Sequence, residues 1–75
     1  MNASLTRVAE RLQNRLKEQR AELGLTQAEL AERVGVTRNT VNTVENGVFT
    51  PSTTLALKLA AALNVKVEEL FWIER

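Results

Sequence analysis

The chain has 75 residues, of which 44% are apolar and 25% are charged, and its formal net charge is +1. This length accommodates one small domain over residues 1–75, and we expect no second, ligand-sensing domain. The sequence contains no Cys and no His, which excludes disulfides and thiolate metal sites and removes the most common general base. We therefore expect no cofactor, no metal and no enzymatic activity.

The sequence argues against a membrane or secreted protein, and its net charge gives only weak support for a nucleic-acid-binding protein. No segment approaches the roughly 20 consecutive apolar residues of a membrane helix, and residues 1–9 lack the apolar core of a signal peptide. We therefore expect a cytoplasmic protein without membrane contact. The net charge is low for a nucleic-acid-binding protein, but five basic and three acidic residues fall within residues 1–23. Arg15, Lys17 and Arg38 are the side chains expected to attract phosphate.

The first predicted element is a helix over about residues 4–23, with Ser4 as its N-cap. Apolar residues recur in it at helical spacing: Leu5, Val8, Ala9, Leu12, Leu16 and Leu23. Residues 1–15 form an N-terminal helical extension in this interpretation. The sequence leaves three roles open for the extension: a frayed end, a contact with a partner subunit, or packing on the C-terminal tail.

Residues 26–34 predict a short amphipathic helix with well-defined ends. Thr26 is a good N-cap, and Glu29 stands where a capping-box acid reaches back to the Thr26 backbone N–H. Leu30 and Val34 belong to its apolar face. Gly35 supplies the left-handed conformation that ends the helix at low cost.

Residues 37–46 predict a second helix that begins at a Thr37 cap and buries Val41 and Val44. Its outward side chains are Arg38, Asn39, Asn42 and Thr43. Two short amphipathic helices hinged at a glycine are typical of a helix-turn-helix, whose second helix lies in the DNA major groove. Arg suits guanine, Asn suits adenine, and the Thr methyl suits thymine. The alternative from spacing alone is plain helix packing with a solvated outer face.

The rest of the chain is predicted to form two structural helices and an apolar cluster at the C-terminal end. Pro51 and Ser52 open a fourth helix, Asn64 is a left-handed cap, and a short fifth helix follows at about residues 66–70. The buried stripe of the fourth helix is expected to be Leu55, Ala56, Leu59, Ala60 and Leu63. The tail, residues 71–75, extends as a strand, folds back on the first helix, or joins a two-fold dimer interface. The predicted interface residues are Leu70, Phe71, Trp72 and Ile73.

The sequence closely resembles the Cro and phage-repressor type helix-turn-helix regulators, the XRE-like family, especially its small bacterial single-domain members. The matching positions are Leu16-Lys17-Glu18, Arg20, Leu23-Gly24-Leu25-Thr26-Gln27, Leu30-Ala31, Gly35-Val36-Thr37, Glu45-Asn46-Gly47, Pro51-Ser52, Leu55-Ala56 and Leu63. The resemblance implies an all-α fold, a compact bundle of about five helices. It also implies a sequence-specific regulator of transcription whose partner is an operator in double-stranded DNA.

The resemblance also implies roles for individual residues. Gln27 would bond a phosphate and brace the start of the recognition helix, and Arg20 and Glu45 would form a largely buried ion pair. The full set of expected DNA contacts is Gln27, Thr37, Arg38, Asn39, Thr40, Asn42, Thr43, Asn46, Arg15 and Lys17. Val48 stands where family members often have a Lys, so one phosphate contact is expected to be missing.

These observations together predict a repressor that binds an inverted-repeat operator as a homodimer through the recognition helix 37–46. Two other interpretations stay open. One is an antitoxin-type subunit whose main partner is another protein, a toxin for instance, and the other is a protein-interaction adaptor that has lost operator affinity.

Overall fold

The computed structural model describes residues 10–74. Its elements are β1 (Arg11–Asn14), α1 (Leu16–Glu22), α2 (Gln27–Val34), α3 (Arg38–Glu45), α4 (Thr53–Ala62), α5 (Val67–Leu70) and β2 (Phe71–Glu74). The predicted bundle of about five helices is confirmed. The part of the helical extension that would span residues 1–9, with its Ser4 cap, lies outside the described residues.

One apolar core joins all five helices. The side chains that are fully buried are Leu16, Leu30, Val41, Val44, Leu59, Leu63 and Leu70. Helix α2 packs against α3 and α4, α1 packs against α3, and α5 contacts α4 and β2. Full burial of an aliphatic side chain contributes about 1.5–3 kcal/mol, so a core shared in this way fixes the helices relative to one another.

The prediction of one long helix over residues 4–23 is wrong at residues 11–14, because these residues form β1. The predicted helical extension over residues 1–15 is wrong at the same four residues. Helix α1 begins only at Leu16, where the Asn14 side-chain Oδ1 accepts the Leu16 backbone N–H at 2.9 Å. The apolar spacing misled because the Leu12 side chain packs on the core equally well from a strand. Tertiary pairing overrode a weak helical preference.

The two strands form an antiparallel ribbon from opposite ends of the described chain. Leu12 pairs with Ile73, and Asn14 pairs with Phe71. The ribbon continues into the helices because the Arg15 backbone N–H donates to the Leu70 carbonyl at 3.0 Å. Of the alternatives for the tail, extension as a strand is the one observed, and its partner is β1 rather than a helix.

The predicted ends of the other helices agree closely with the structure. Ser52 caps α4 by accepting the Leu55 N–H at 3.1 Å, and Asn64 adopts a left-handed φ of 59°. Within the predicted stripe of α4, Leu55 and Ala56 are half-buried rather than buried. Leu23, the last residue of the predicted apolar repeat, is 47% exposed, while Leu25 is buried, because the turn at Gly24, with φ 69°, reverses the chain between them.

Candidate nucleic-acid interface

The turn between α2 and α3 is built from local backbone signals. The Thr26 hydroxyl accepts the Glu29 backbone N–H at 3.0 Å, and the Glu29 carboxylate accepts the Thr26 backbone N–H at 2.8 Å. This is the predicted capping box. The hydrogen bond from the Thr26 backbone lowers the pKa of Glu29 below its ordinary 4.5. Gly35 ends α2 with a left-handed φ of 76°, as its position predicted.

Helix α3 has one buried side and one polar side. Val41 and Val44 are buried, as predicted. Arg38, Asn39 and Asn46 are exposed. The other polar side chains predicted to contact DNA from α3 are partly buried: Thr40, Asn42 and Thr43. A short rigid helix with this division can insert its polar side into a groove while its apolar side stays anchored.

Threonine hydroxyls stabilise the first turns of α3. The Thr37 Oγ1 accepts the Thr40 backbone N–H at 3.2 Å and lies 3.0 Å from the Thr40 hydroxyl. The Thr43 hydroxyl donates to the Thr40 carbonyl at 2.9 Å. Because the Thr43 hydroxyl proton is used inside the helix, the group that Thr43 offers a base is its methyl or an acceptor lone pair.

An ion pair joins α1 to the end of α3. Arg20 Nε donates to Glu45 Oε2 at 2.7 Å, and Arg20 Nη2 donates to Glu45 Oε1 at 3.3 Å. Arg20 Nη1 also donates to the Leu25 carbonyl at 2.7 Å. The two side chains are 15% and 3% exposed. The pair implied by the resemblance is thus present, bidentate and largely buried, and it sets the position of α3 against α1.

Gln27 lies at the first position of α2 and reaches across to α3. Its Nε2 donates to Glu45 Oε1 at 2.9 Å and to Asn42 Oδ1 at 3.1 Å. An amide nitrogen has two N–H groups, so both are engaged inside the protein. Gln27 therefore braces the middle and end of α3 rather than its start, and a bond from its N–H to phosphate would require one of these contacts to break.

The basic residues of α1 have different surroundings. Lys17 is exposed. The Arg15 guanidinium lies over the Trp72 ring, with 5.4 Å between its carbon and the ring centroid. A cation in this position is attracted by the ring's negative face. Arg15 is consequently tied to the ribbon, whereas Lys17 is free to approach a phosphate.

Sequence reasoning missed Asn14, which links the ribbon to α3. Its Nδ2 donates to the Val44 carbonyl at 3.0 Å, while its Oδ1 accepts from Leu16. Placing residue 14 inside a long helix concealed this role. The available signal was an Asn two residues before an apolar helix start, which is typical of a capping or Asx turn.

The predicted dimer residues divide into two groups. Leu70 is fully buried and Phe71 is 9% exposed, and both belong to the core of the subunit. Leu70 is therefore corrected from an interface residue to a core residue, and Phe71 is left with little surface for a partner. Trp72 and Ile73 are exposed, at 41% and 48%.

The loop after α3 carries exposed apolar residues rather than a cation. Val48 is 78% exposed and Phe49 is 48% exposed.

Among residues 10–74, no group of three or more acidic side chains is arranged to hold a metal ion. Over the same span, no helix has the length and apolar character needed to cross a membrane.

Comparison with known protein sequences identifies one family. The family described as helix-turn-helix matches residues 16–70. An uncharacterized HTH-type transcriptional regulator of Bacillus subtilis, YgzD, is 48% identical over 63 residues, which is 84% of this chain and 96% of that protein. An uncharacterized HTH-type transcriptional regulator of Methanothermobacter thermautotrophicus is 50% identical over 60 residues, covering 79% of this chain and 87% of its own length.

Solved structures give the same result. The restriction-modification controller protein C.AhdI from Aeromonas hydrophila superposes with a TM-score of 0.72 at 44% identity, over 76% of this chain and 83% of that one. The master regulator for biofilm formation SinR, solved in complex with DNA, gives a TM-score of 0.67 at 34% identity, over 72% of this chain and 87% of that one.

Proposed function

Because the chain belongs to the helix-turn-helix family of Cro and phage-repressor type, we propose that it is a repressor that binds an inverted-repeat operator as a homodimer. The family consists of DNA-binding transcriptional regulators and not of enzymes. DNA binding is thus the property shared with the relatives, and repression, the form of the operator and the dimer are our proposals.

The observation that carries the proposal is the polar outer side of α3. Arg38 and Asn39 stand exposed at its first turn, on a helix fixed from behind by Val41, Val44 and the Arg20–Glu45 pair. Arg and Asn side chains have the donor and acceptor patterns that read guanine and adenine edges in the major groove. Rigid presentation lowers the entropy lost on binding.

A dimer is proposed because an apolar surface remains at the ribbon. Ile73 and Leu57 are 48% and 53% exposed. Leu57 lines a mainly apolar groove of about 330 Å³ together with Leu12, Pro51, Val67 and Phe71, and Ile73 pairs with Leu12 across the ribbon. A two-fold contact through this surface, which we call the ribbon surface, would bury these side chains. A homodimer that reads an inverted repeat must present its two α3 helices to major grooves roughly 34 Å apart.

The experiment for operator binding is selection of genomic DNA fragments by the purified protein at several salt concentrations, with Arg38→Ala/Asn39→Ala beside it. We expect enrichment of an inverted repeat that the double variant loses, at ~1–3 kcal/mol per base-reading residue. Arg33→Ala, an exposed arginine on α2, is the matched control and should retain the enrichment. Wild-type protein that enriches no sequence over bulk DNA would contradict the proposal and favour a protein as the main partner.

The dimer is tested separately by sedimentation. Ile73→Glu should convert a wild-type dimer to monomer, since a charge would be buried at the ribbon surface. Leu23→Glu is the matched control, because Leu23 is equally exposed but lies outside that surface. Wild-type protein that sediments only as a monomer at tens of micromolar, alone and with the selected DNA, would refute the dimer.

A further inference from the structure

We infer that Glu45, acting through Gln27, fixes the direction of the Asn42 side-chain amide, so that α3 presents Asn42 to the operator as a hydrogen-bond donor only. This inference rests on the proposed function, because it concerns how the recognition helix reads DNA. Glu45 and Gln27 are then positioning residues for DNA specificity, in addition to joining α1 and α2 to α3.

The first step is the contact between Glu45 and Gln27. A carboxylate can only accept hydrogen bonds, and Arg20 holds the Glu45 carboxylate in place from the other side at 2.7 Å. The Gln27 atom that lies 2.9 Å from Glu45 Oε1 must therefore be the nitrogen. The opposite orientation of the Gln27 amide would set two oxygens against each other, so the orientation is determined by charge.

The second step passes this polarity to Asn42. The second N–H of Gln27 Nε2 points to Asn42 Oδ1 at 3.1 Å, and Asn46 Nδ2 donates to the same oxygen at 3.3 Å. Two donors fill the two lone pairs of that oxygen. If the Asn42 amide turned over, its own N–H₂ group would face the Gln27 N–H, whose direction Glu45 fixes, and that hydrogen bond would be lost.

The consequence concerns the group that Asn42 leaves for a ligand. Its Oδ1 is occupied, and its Nδ2 makes no side-chain hydrogen bond within residues 10–74. A donor can bond guanine N7 or O6, adenine N7 or thymine O4, but it cannot bond the N4 amino group that cytosine presents in the major groove. The bidentate pairing of Asn with adenine needs one donor and one acceptor, which Asn42 no longer offers.

Asn39 provides the internal contrast. It is exposed, and its side chain makes no hydrogen bond with the described part of the chain. Its amide can therefore turn to present either atom, and it can read adenine in the bidentate manner. Two asparagines on one helix thus differ in what they can recognise, and the difference originates at Glu45.

The main test is selection of operator sequences from a random duplex DNA library by the wild type and three variants. Asn42→Ala identifies the base-pair column that depends on residue 42. Wild-type protein should disfavour cytosine on the contacted strand of that column by about 3–10-fold, the value of one hydrogen bond. Asn42→Asp keeps an inward acceptor for Gln27 and Asn46 but presents a second acceptor to DNA, so it should shift the column towards cytosine. Asn64→Asp makes the same substitution at an exposed asparagine after α4, outside the DNA-contacting residues, and should leave this column unchanged.

Several outcomes overturn the inference and one overturns the proposed function instead. A wild-type column that favours cytosine, an Asn42→Asp column that stays unchanged, or no column that responds to Asn42→Ala would each refute the donor assignment while operator binding stands. Wild-type protein that enriches no sequence refutes the proposed function. If Asn42→Asp does not fold, Gln27→Met/Asn46→Ala removes both donors to Asn42 Oδ1 and should relax the discrimination against cytosine in the same column.

A second measurement needs no DNA and tests the orientation directly. Hydrogen exchange of the side-chain amides, followed by NMR in the free protein, should show slow exchange for Gln27, whose two N–H groups are both bonded. Asn42 and Asn39 should exchange at the rate of free amides. Exchange of Gln27 as rapid as that of Asn39 would overturn the inference whether or not the protein binds an operator.

Discussion

The helix-turn-helix at residues 26–46 and the β1–β2 ribbon are stabilised over very different distances along the chain. In the helix-turn-helix, each helix start is capped by a residue three positions before its partner, as with Thr26 and Glu29. The ribbon joins Leu12 to Ile73 and Asn14 to Phe71. The first region needs only its own sequence to define its ends, whereas the second exists only once both ends of the described chain meet.

The two regions also attach to the core by different chemistry. Helix α3 is held by the buried Arg20–Glu45 pair, in which the two side chains are almost fully removed from water. The ribbon packs on the core through Leu12 and Phe71, and its polar attachment is Asn14, which donates to the Val44 carbonyl and accepts from the Leu16 N–H. A buried charge that loses its partner costs more than a neutral group that does so, and this orders the effects expected from substitution.

The largest effect is expected from Arg20→Ala. It leaves the Glu45 carboxylate, only 3% exposed, with the amide of Gln27 as its remaining side-chain partner. The expected loss is ~3–5 kcal/mol of unfolding free energy, measured by urea denaturation. Arg33→Ala, which removes an exposed arginine, should change stability by less than about 0.5 kcal/mol. An unchanged midpoint for Arg20→Ala would mean that the helix-turn-helix does not depend on this pair.

A smaller effect is expected from Asn14→Ala, which tests the attachment of the ribbon. The Leu16 N–H loses its acceptor and the Val44 carbonyl loses one donor, so the unfolding free energy should fall by about 1–3 kcal/mol. Gln13→Ala is the control on the same strand, since Gln13 pairs with Trp72 on the opposite side of the ribbon. Equal losses for the two variants would show that the side-chain bonds of Asn14 do not hold the ribbon.

The smallest effect is expected at the capping box of α2, and it depends on pH. The Thr26 backbone N–H lowers the pKa of Glu29 in the folded protein. The folded state therefore binds this proton more weakly than the unfolded state, so the stabilisation is fully present above the ordinary pKa of 4.5 and is lost as the pH falls through the lowered value. Thermal melts of wild type and Glu29→Gln should thus converge as the pH falls from about 5 to about 3. A separation that stays constant over this range would exclude the carboxylate as the source.

The sequence by itself determined the helix-turn-helix with accuracy. Residues 26–34 and 37–46 were predicted with their caps, and the structure has α2 at Gln27–Val34 and α3 at Arg38–Glu45. The reason is physical: a side-chain cap or a left-handed glycine acts within about four residues. Such a signal is complete in the local sequence, and the outward polar set on α3 followed from helical spacing alone.

Tertiary structure alone decided the ribbon and the polar network. The segment at residues 11–14 has the apolar spacing of a helix, yet it forms a strand because its backbone pairs with that of β2. Neither the burial of Leu70 nor the engagement of both Gln27 N–H groups can be read from local spacing. Short helices and strands are marginal when isolated, so contacts between residues distant in sequence determine which of them form and which polar atoms remain free to contact DNA.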